Sequence, residues 1–548
     1  MNKLLKSYPD ILFASATAII LVGLCNWQFW TTLVKNMSLS GFSGVAFIFA
    51  LSLLFTWLYA VLLLLIPGRT AMRLLGVILI ILASSSAYFV DNFGIGIDLD
   101  MFRNVAQTDS TEAFGLFNVR LLAYILVFGF APSWILWKIK FQPISFRRYA
   151  LQRIVFIWLG AIFVLLAILP QSGKFATFVR EQKSVRYMMN PGNLMYAAWN
   201  YARHEVRPLD TALTDIDGNT HRVITTSSSK PLLIFLVIGE TARAADFQLM
   251  GHSRQTNPQL SAINDLYRFT DMKSCGTSTA VSLPCIFSGS GRDEFDVAKE
   301  RSRTNLLDTL SKNGVAVEWR DNNSGCKGIC ARVQTVAMQP AMAPSLCGQD
   351  YCHDEVLLAG LSESITKKST DQLLVLHNIG SHGPAYWRRY PASFEIFKPT
   401  CRTTDLGACS LDEIHNAYDN TILYTDHVLS QMITMLRDLS DRYDTAFLYV
   451  SDHGESLGEN GLFLHGAPYF FAPDVQKNIP LLLWMSEGYR NRMSVDSDCV
   501  KSLQTKAFSH DNIYHTVLGM TEIENAVYTP KLDLSLIHIS EPTRLLSI

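Results

Sequence analysis

The chain has 548 residues, 49% of them hydrophobic, and a formal net charge of −1. This length exceeds one ordinary domain. A near-neutral chain without a basic stripe argues against a nucleic-acid partner. The apolar residues are unevenly spread: five runs, Ile11 to Trp30, Val45 to Ile66, Leu74 to Val90, Leu121 to Trp137 and Ile154 to Leu169, all precede residue 171. Each approaches the roughly 20 residues that cross a hydrocarbon core about 30 Å thick. Residues 1–170 are therefore read as a five-span α-helical transmembrane domain.

Short loops carry the orientation signal. Lys3 and Lys6 precede the first run, Arg69 and Arg73 lie between the second and third, and Lys138, Lys140, Arg147, Arg148 and Arg153 lie between the fourth and fifth. These segments are placed in the cytoplasm. The loop Asp91 to Arg120 has five acidic residues against two Arg, as an outward loop should. An odd number of spans then puts everything after residue 170 outside the cytoplasm, and the first run is too long to be a cleaved signal peptide. Gln171 to Glu205 mixes aromatic and basic residues and is read either as interfacial helices or as a plain linker, followed by the polar linker Asp210 to Lys230.

Nine of the ten Cys lie after residue 270, and eight form close pairs: Cys275 with Cys285, Cys326 with Cys330, Cys347 with Cys352, and Cys401 with Cys409. In an extracytoplasmic domain such pairs read as short disulfide loops. Cys25 is expected to be a small buried residue of its span, and Cys499 has no evident partner.

The soluble half, residues 231–533, opens with Pro231 to Ile238, a run of buried-strand type, and repeats the signal at Val315 to Trp319, Leu373 to Leu376, Ala446 to Val450 and Ile479 to Trp484. Helical stretches, as around Leu306 to Lys312 and Asn416 to Arg437, separate these runs, predicting an α/β sandwich around a mostly parallel central sheet. Catalytic groups of such sheets collect just past the carboxyl ends of the strands. Glu240 follows the first run, and Asp452-His453 follows Ala446 to Val450.

Within Ser274-Cys-Gly-Thr-Ser-Thr-Ala-Val-Ser-Leu-Pro-Cys285, small residues and the three hydroxyls of Thr277, Ser278 and Thr279 come at what reads as a helix start. A helix N-terminus offers free N–H groups to an anion. Thr277, Ser278 and Thr279 are candidate nucleophiles, although a Ser/Thr cluster also suits a helix cap. A hydroxyl attacks poorly until its charge is stabilised, and metal coordination is one route. Two carboxylates and a His make a three-ligand zinc site whose open position a hydroxyl oxygen can fill.

Six segments in order resemble the membrane phosphoethanolamine transferases, the lipid A-modifying and mobile colistin-resistance enzymes of the alkaline phosphatase/sulfatase superfamily. They are Gly239-Glu-Thr-Ala-Arg243, Ser274-Cys-Gly-Thr-Ser-Thr279, Arg320-Asp-Asn-Asn323 with Lys327, His382-Gly-Pro-Ala-Tyr386, Asn416-Ala-Tyr-Asp-Asn420 and Ser451-Asp-His-Gly-Glu-Ser-Leu-Gly-Glu-Asn-Gly461. The resemblance implies that Thr279 carries the phosphoethanolamine and that Glu240, Thr279, Asp452 and His453 bind the catalytic Zn2+. It implies that His382 and His465 bind the phosphoryl group or a second zinc, that Asn323 and Lys327 hold the substrate phosphate, and that Asn104, Thr108 and Glu112 bind a lipid headgroup. The implied donor is phosphatidylethanolamine, and the implied acceptor is a phosphate of lipid A in lipopolysaccharide. The implied setting is the bacterial inner membrane with a periplasmic catalytic domain, acting as a monomer and conferring polymyxin resistance. Alternatives within the superfamily are transfer to core-sugar or Kdo acceptors, a phosphoglycerol transferase, and a sulfatase or other hydrolase, although no C/S-x-P-x-R segment accompanies Thr279. A binding module without catalysis would have lost a zinc ligand.

Leu534-Ser-Leu-Ile-His-Ile-Ser-Glu-Pro-Thr-Arg544 resembles a translated sequencing-library adapter. Residues 534–548 are therefore expected to lie outside the natural fold, with the partner of Cys499 in a lost natural C-terminus.

Overall fold

The computed structural model describes residues 8–107, 116–141, 145–204, 213–223, 229–348 and 351–535. The chain divides into two compact units, Met1–Phe102 with Phe117–Tyr201, and Arg103–Leu116 with Ala202–Ile548. The segment after residue 170 is helical, as Ser172–Glu181, Lys183–Arg186 and Gly192–His204. The first unit holds it as far as Tyr201.

Among the described residues of the first unit, four helical stretches are long and apolar enough to cross a membrane: Gly41–Leu65, Arg69–Phe93, Val119–Trp137 and Phe146–Glu181. The first run is a broken helix rather than a continuous one, and counted as one span it makes the fifth. It forms Pro9–Leu24 and Trp27–Asn36, bent by 59° at the break. Asn26 accounts for the bend. Its Nδ2 donates to Leu21 O (2.7 Å) and to Asn190 O (2.9 Å), while its Oδ1 accepts from Asn190 N (2.7 Å). Both side chains are buried, and a broken helix survives among apolar neighbours only when its freed polar groups are paired in this way. Asp10 meets Arg69 at 3.0 Å and Arg153 at 4.0 Å, so two cations from loops assigned to the cytoplasm share one end of the bundle.

The second unit is built on a seven-stranded sheet, numbered here along the chain: β1 Leu232–Gly239, β2 Leu266–Phe269, β3 Ala316–Asp321, β4 Gln334–Ala337, β5 Gln372–His377, β6 Asp444–Ser451 and β7 Leu481–Met485. Its spatial order is β2-β7-β6-β1-β5-β3-β4. Strands β6, β1, β5, β3 and β4 run parallel, whereas β7 is antiparallel to both β6 and β2. The Ile479 to Trp484 run is thus a strand of the opposite direction, which an all-apolar run cannot reveal because it is buried on both faces either way. The edge strands β2 and β4 carry no such run. In β4, Gln334, Thr335 and Ala337 are exposed.

Every residue of β1, β5 and β6 is buried, and Ile234, Leu236, Trp319, Val375 and Leu448 are among those packed into one core. The long helix Leu411–Asp438 starts at a capping box in which Ser410 and Glu413 satisfy each other's backbone N–H groups, and its Tyr418 reaches the site described below.

All four close cysteine pairs form disulfides: Cys275 bonds to Cys285, Cys326 to Cys330, Cys347 to Cys352, and Cys401 to Cys409. Cys25 is buried. Cys499 lies on the helix Ser497–Leu503. Leu534, at the start of the segment expected outside the fold, is buried in the core, and its N–H donates to Thr516 Oγ1 (3.0 Å). The remainder of that segment, 536–548, lies outside the described residues.

Candidate active site

Register explains how distant residues meet. Gly239 of β1 pairs with Ser451 of β6, so Glu240 and Asp452 leave the sheet side by side. Their loops are then locked. Thr241 takes a left-handed backbone (φ +55°), its N–H donates to Asp452 Oδ1 (3.1 Å), and its carbonyl accepts from Tyr418 Oη (2.6 Å). A non-glycine residue in that conformation is strained and persists only where its surroundings over-determine it. Gly380 (φ +49°) lets the neighbouring loop approach so closely that a side-chain carbon there would lie 2.6 Å from Glu240 O.

Thr279 begins the helix Thr279–Ile286, whose loop is closed by Cys275–Cys285. The three candidate hydroxyls differ in their surroundings. Thr277 Oγ1 donates to Ala467 O (2.6 Å), and Ser278 Oγ is buried with no partner. Thr279 Oγ1 lies 3.2 and 3.1 Å from the two Glu240 oxygens and 3.4 Å from His453 Nε2.

Glu240, Asp452 and His453 are fully buried, with ligand atoms mutually within 4.8 Å. His453 Nδ1–H donates to Gly454 O (2.9 Å), which fixes the tautomer and turns the Nε2 lone pair toward the carboxylates. Asp452 Oδ1 accepts from two backbone N–H groups, whereas Oδ2 is buried 3.3 Å from His453 Nε2 without a hydrogen-bond partner. Burial, and then the charge of Glu240, push the Asp452 carboxyl well above the usual carboxylate range. Burial, with help from His465, pushes the His453 ring down to about 3. Crowded carboxylates, a neutral imidazole and an orphaned oxygen are the donor set that a divalent cation satisfies.

The His465 ring packs at a tilt against His453 (centroids 4.4 Å) and meets His382 edge-on (5.5 Å), placing both rings beside the ligand set, with His465 Nδ1 3.3 Å from Glu455 Oε1. Asn323 is placed differently from a free phosphate donor. Its Nδ2 donates to Glu240 Oε2 (2.9 Å) and Asn378 O (2.9 Å), which orients the carboxylate. Lys327 Nζ meets Ser324 Oγ (2.9 Å) and Gln107 O (3.4 Å). Asn104 lies on the helix Leu99–Gln107, while Thr108 and Glu112 lie outside the described residues.

Some supporting residues had no role in the sequence reading. Buried Arg243 pairs with Asp246, donates to Glu459 Oε1 (2.5 Å) and Glu455 O (3.2 Å), and so joins the Glu240 loop to the loop after His453. A second acidic group, Asp246, His252 and Asp419, also converges, but Arg243 and Arg254 already neutralise it. Arg243→Gln should leave Asp246 buried without its cation and cost about 3–5 kcal/mol. A thermal melt of the full chain in detergent checks this, and an unchanged midpoint would contradict it. His510 is buried with Nδ1 accepting from Cys275 N and Nε2–H donating to Ser451 O, and burial holds its ring down to about 4. The unfolded chain takes up this proton near pH 6.5 and the folded chain only near 4, so stability falls as pH drops through that window. The loss is on the order of 3 kcal/mol. Melting midpoints between these pH values should fall less steeply for His510→Gln.

Residues 233–523 match the family model described as Sulfatase, and residues 53–206 match the one described as Phosphoethanolamine transferase EptA/EptB. Phosphoethanolamine transferase EptA of Escherichia coli (strain K12) is 37% identical over 465 residues, 84% of this chain and 85% of that relative. The chain belongs to the phosphoethanolamine transferase family. Phosphatidylethanolamine transferase Mcr-1 of Escherichia coli is 34% identical over 527 residues, covering 94% and 96%. The solved structure of the integral membrane protein lipooligosaccharide phosphoethanolamine transferase A (EptA) from Neisseria meningitidis superposes with a TM-score of 0.91 at 32% identity, over 95% of this chain and 98% of that one. The transferase is accordingly a multi-pass membrane enzyme with a periplasmic soluble domain. The sulfatase-like region takes in Glu240, Thr279 and Asp452-His453.

Proposed function

We propose that this transferase moves phosphoethanolamine from phosphatidylethanolamine to a phosphate of lipid A in the inner membrane, with Thr279 as the carrier. The observation that carries the reading is the Thr279 oxygen, held 3.1 to 3.4 Å from Glu240 and His453 at the start of a helix. In the first displacement a bond forms between Thr279 Oγ1 and phosphorus while the bond from phosphorus to the diacylglycerol oxygen breaks. In the second, an acceptor phosphate oxygen bonds to phosphorus and Thr279 Oγ1 leaves. Glu240, itself held by Asn323, orients the hydroxyl and takes its proton, which passes on to the departing diacylglycerol oxygen; in the second displacement Thr279 Oγ1 takes a proton back as it leaves. The helix N-terminus offers N–H groups to the phosphoryl oxygens.

Glu240, Thr279, Asp452 and His453 would hold a zinc ion, which supplies positive charge against the threonine oxygen and the transferring phosphoryl group. His382 and His465 flank that position and suit a phosphoryl oxygen or a second zinc. Adding an ethanolamine cation lowers the attraction of lipid A for cationic peptides, so polymyxin resistance is the expected phenotype. Mass spectrometry of lipopolysaccharide from a host expressing the chain should place the added group on a lipid A phosphate. A group found on Kdo or a core sugar would overturn the acceptor, and glycerol released from the Thr279 adduct would overturn the donor.

A further inference from the structure

We propose that His510 is a positioning residue that sets the distance between the Thr279 loop and the strand end bearing Asp452 and His453. The proposal rests on the reading of Thr279 and the zinc ligands given above. The two halves of that site come from different parts of the chain. The Cys275–Cys285 loop presents Thr279, whereas Ser451, the last residue of β6, immediately precedes Asp452.

One imidazole ring spans the two. His510 Nδ1 accepts from Cys275 N at 3.0 Å, and Nε2–H donates to Ser451 O at 2.9 Å. The ring is 1% exposed, so water does not compete for either bond. Its backbone is anchored as well. Strand Ala507–Ser509 runs parallel to Asp271–Lys273, and His510 N donates to Lys273 O (2.9 Å), one residue before the Ser274 loop begins. On the other side, Asp511 Oδ1 accepts from Arg292 N (2.8 Å), and Arg292 Nη1 donates to Cys275 O (3.1 Å). Other ties of the nucleophile loop run elsewhere: Thr277 to Gly466 and Ala467, and Ser274 to Lys477. The His510 bridge runs to β6 itself. Only the neutral ring with hydrogen on Nε2 makes both bonds, and burial keeps the ring neutral.

The test uses the full-length enzyme in detergent with phosphatidylethanolamine as donor and zinc affinity measured by competition with a chromophoric chelator. His510→Ala should lower kcat per zinc-loaded enzyme about 10- to 100-fold, because small misplacements of reacting groups cost that much. The donor KM should stay within about twofold, while zinc affinity drops about 10-fold, as when groups behind metal ligands are lost. His510→Gln can keep the bond to Ser451 O and His510→Asn the bond from Cys275 N, so each should recover part of kcat. If the alanine variant does not fold, the Gln and Asn variants decide. Wild-type kcat and zinc affinity in both, or a loss confined to KM, would overturn the proposal. Thr279→Ala run in parallel separates the two readings: an active Thr279→Ala sinks the proposed catalysis, whereas an inactive one beside wild-type His510 variants sinks only the bridge.

Discussion

Thr279→Ala should abolish transfer, lowering the rate by about 10⁴-fold or more, as removal of a covalent nucleophile does elsewhere. The size of the effect follows from the site. Thr277 is engaged with Ala467 and Ser278 is enclosed, so neither neighbouring hydroxyl stands ready to substitute at the oxygen's position against Glu240 and His453. Thr279→Ser retains the oxygen and should keep measurable activity, reduced by the freer rotation of a side chain without the β-methyl group. Incubation with phosphatidylethanolamine followed by peptide mass spectrometry should find the added group on Thr279 in the wild type and nowhere in the alanine variant. Lipid A modified at an undiminished rate by that variant would refute the carrier role.

Asp452→Asn should act in opposite directions with and without zinc. Without it, Glu240 and Asp452 crowd one dry pocket, and Asp452 Oδ2 has no hydrogen bond. The amide keeps an Oδ1 for the N–H groups of Thr241 and His453 and replaces the second, charged oxygen with a donor facing His453 Nε2. The metal-free variant should therefore be more stable than metal-free wild type, by on the order of 1–2 kcal/mol. With zinc at 100 times its dissociation constant the wild type gains about 3 kcal/mol, and the variant, one charged ligand short, gains little. Activity should fall with the zinc. Melting curves with and without a chelator give all four values. A metal-free variant less stable than the wild type, or one that zinc protects equally, would count against a metal at these residues.

The membrane half was legible because hydropathy is local: a run of about 20 apolar residues has few soluble alternatives. Four of the expected spans stand as continuous helical stretches, but the first is broken at Asn26, whose partner Asn190 lies 164 residues away. No window around residue 26 contains that information. The strands β1, β5 and β6 were legible for a similar reason, since a strand buried on both faces must be apolar throughout. The direction of β7 was not, because its side chains are buried equally whichever way it runs. The polar edge strand β4 left no run to read.

For the site, the sequence by itself determined which residue types stand past which strands: a carboxylate after β1, Asp-His after β6, and hydroxyls inside a disulfide loop. Those are properties of short segments. The choice of Thr279 among the three hydroxyls came from the family resemblance of its motif, and the structure adds its distance to Glu240; tertiary structure alone decided that Gly239 pairs with Ser451, that Asn323 bonds to Glu240, and that His510 bridges Cys275 and Ser451. Each depends on strand register or on a buried hydrogen bond between segments tens to hundreds of residues apart. The physical reason is one of range: burial and turn preferences act on neighbours in the chain, whereas hydrogen bonds that aim a catalytic atom act between neighbours in space.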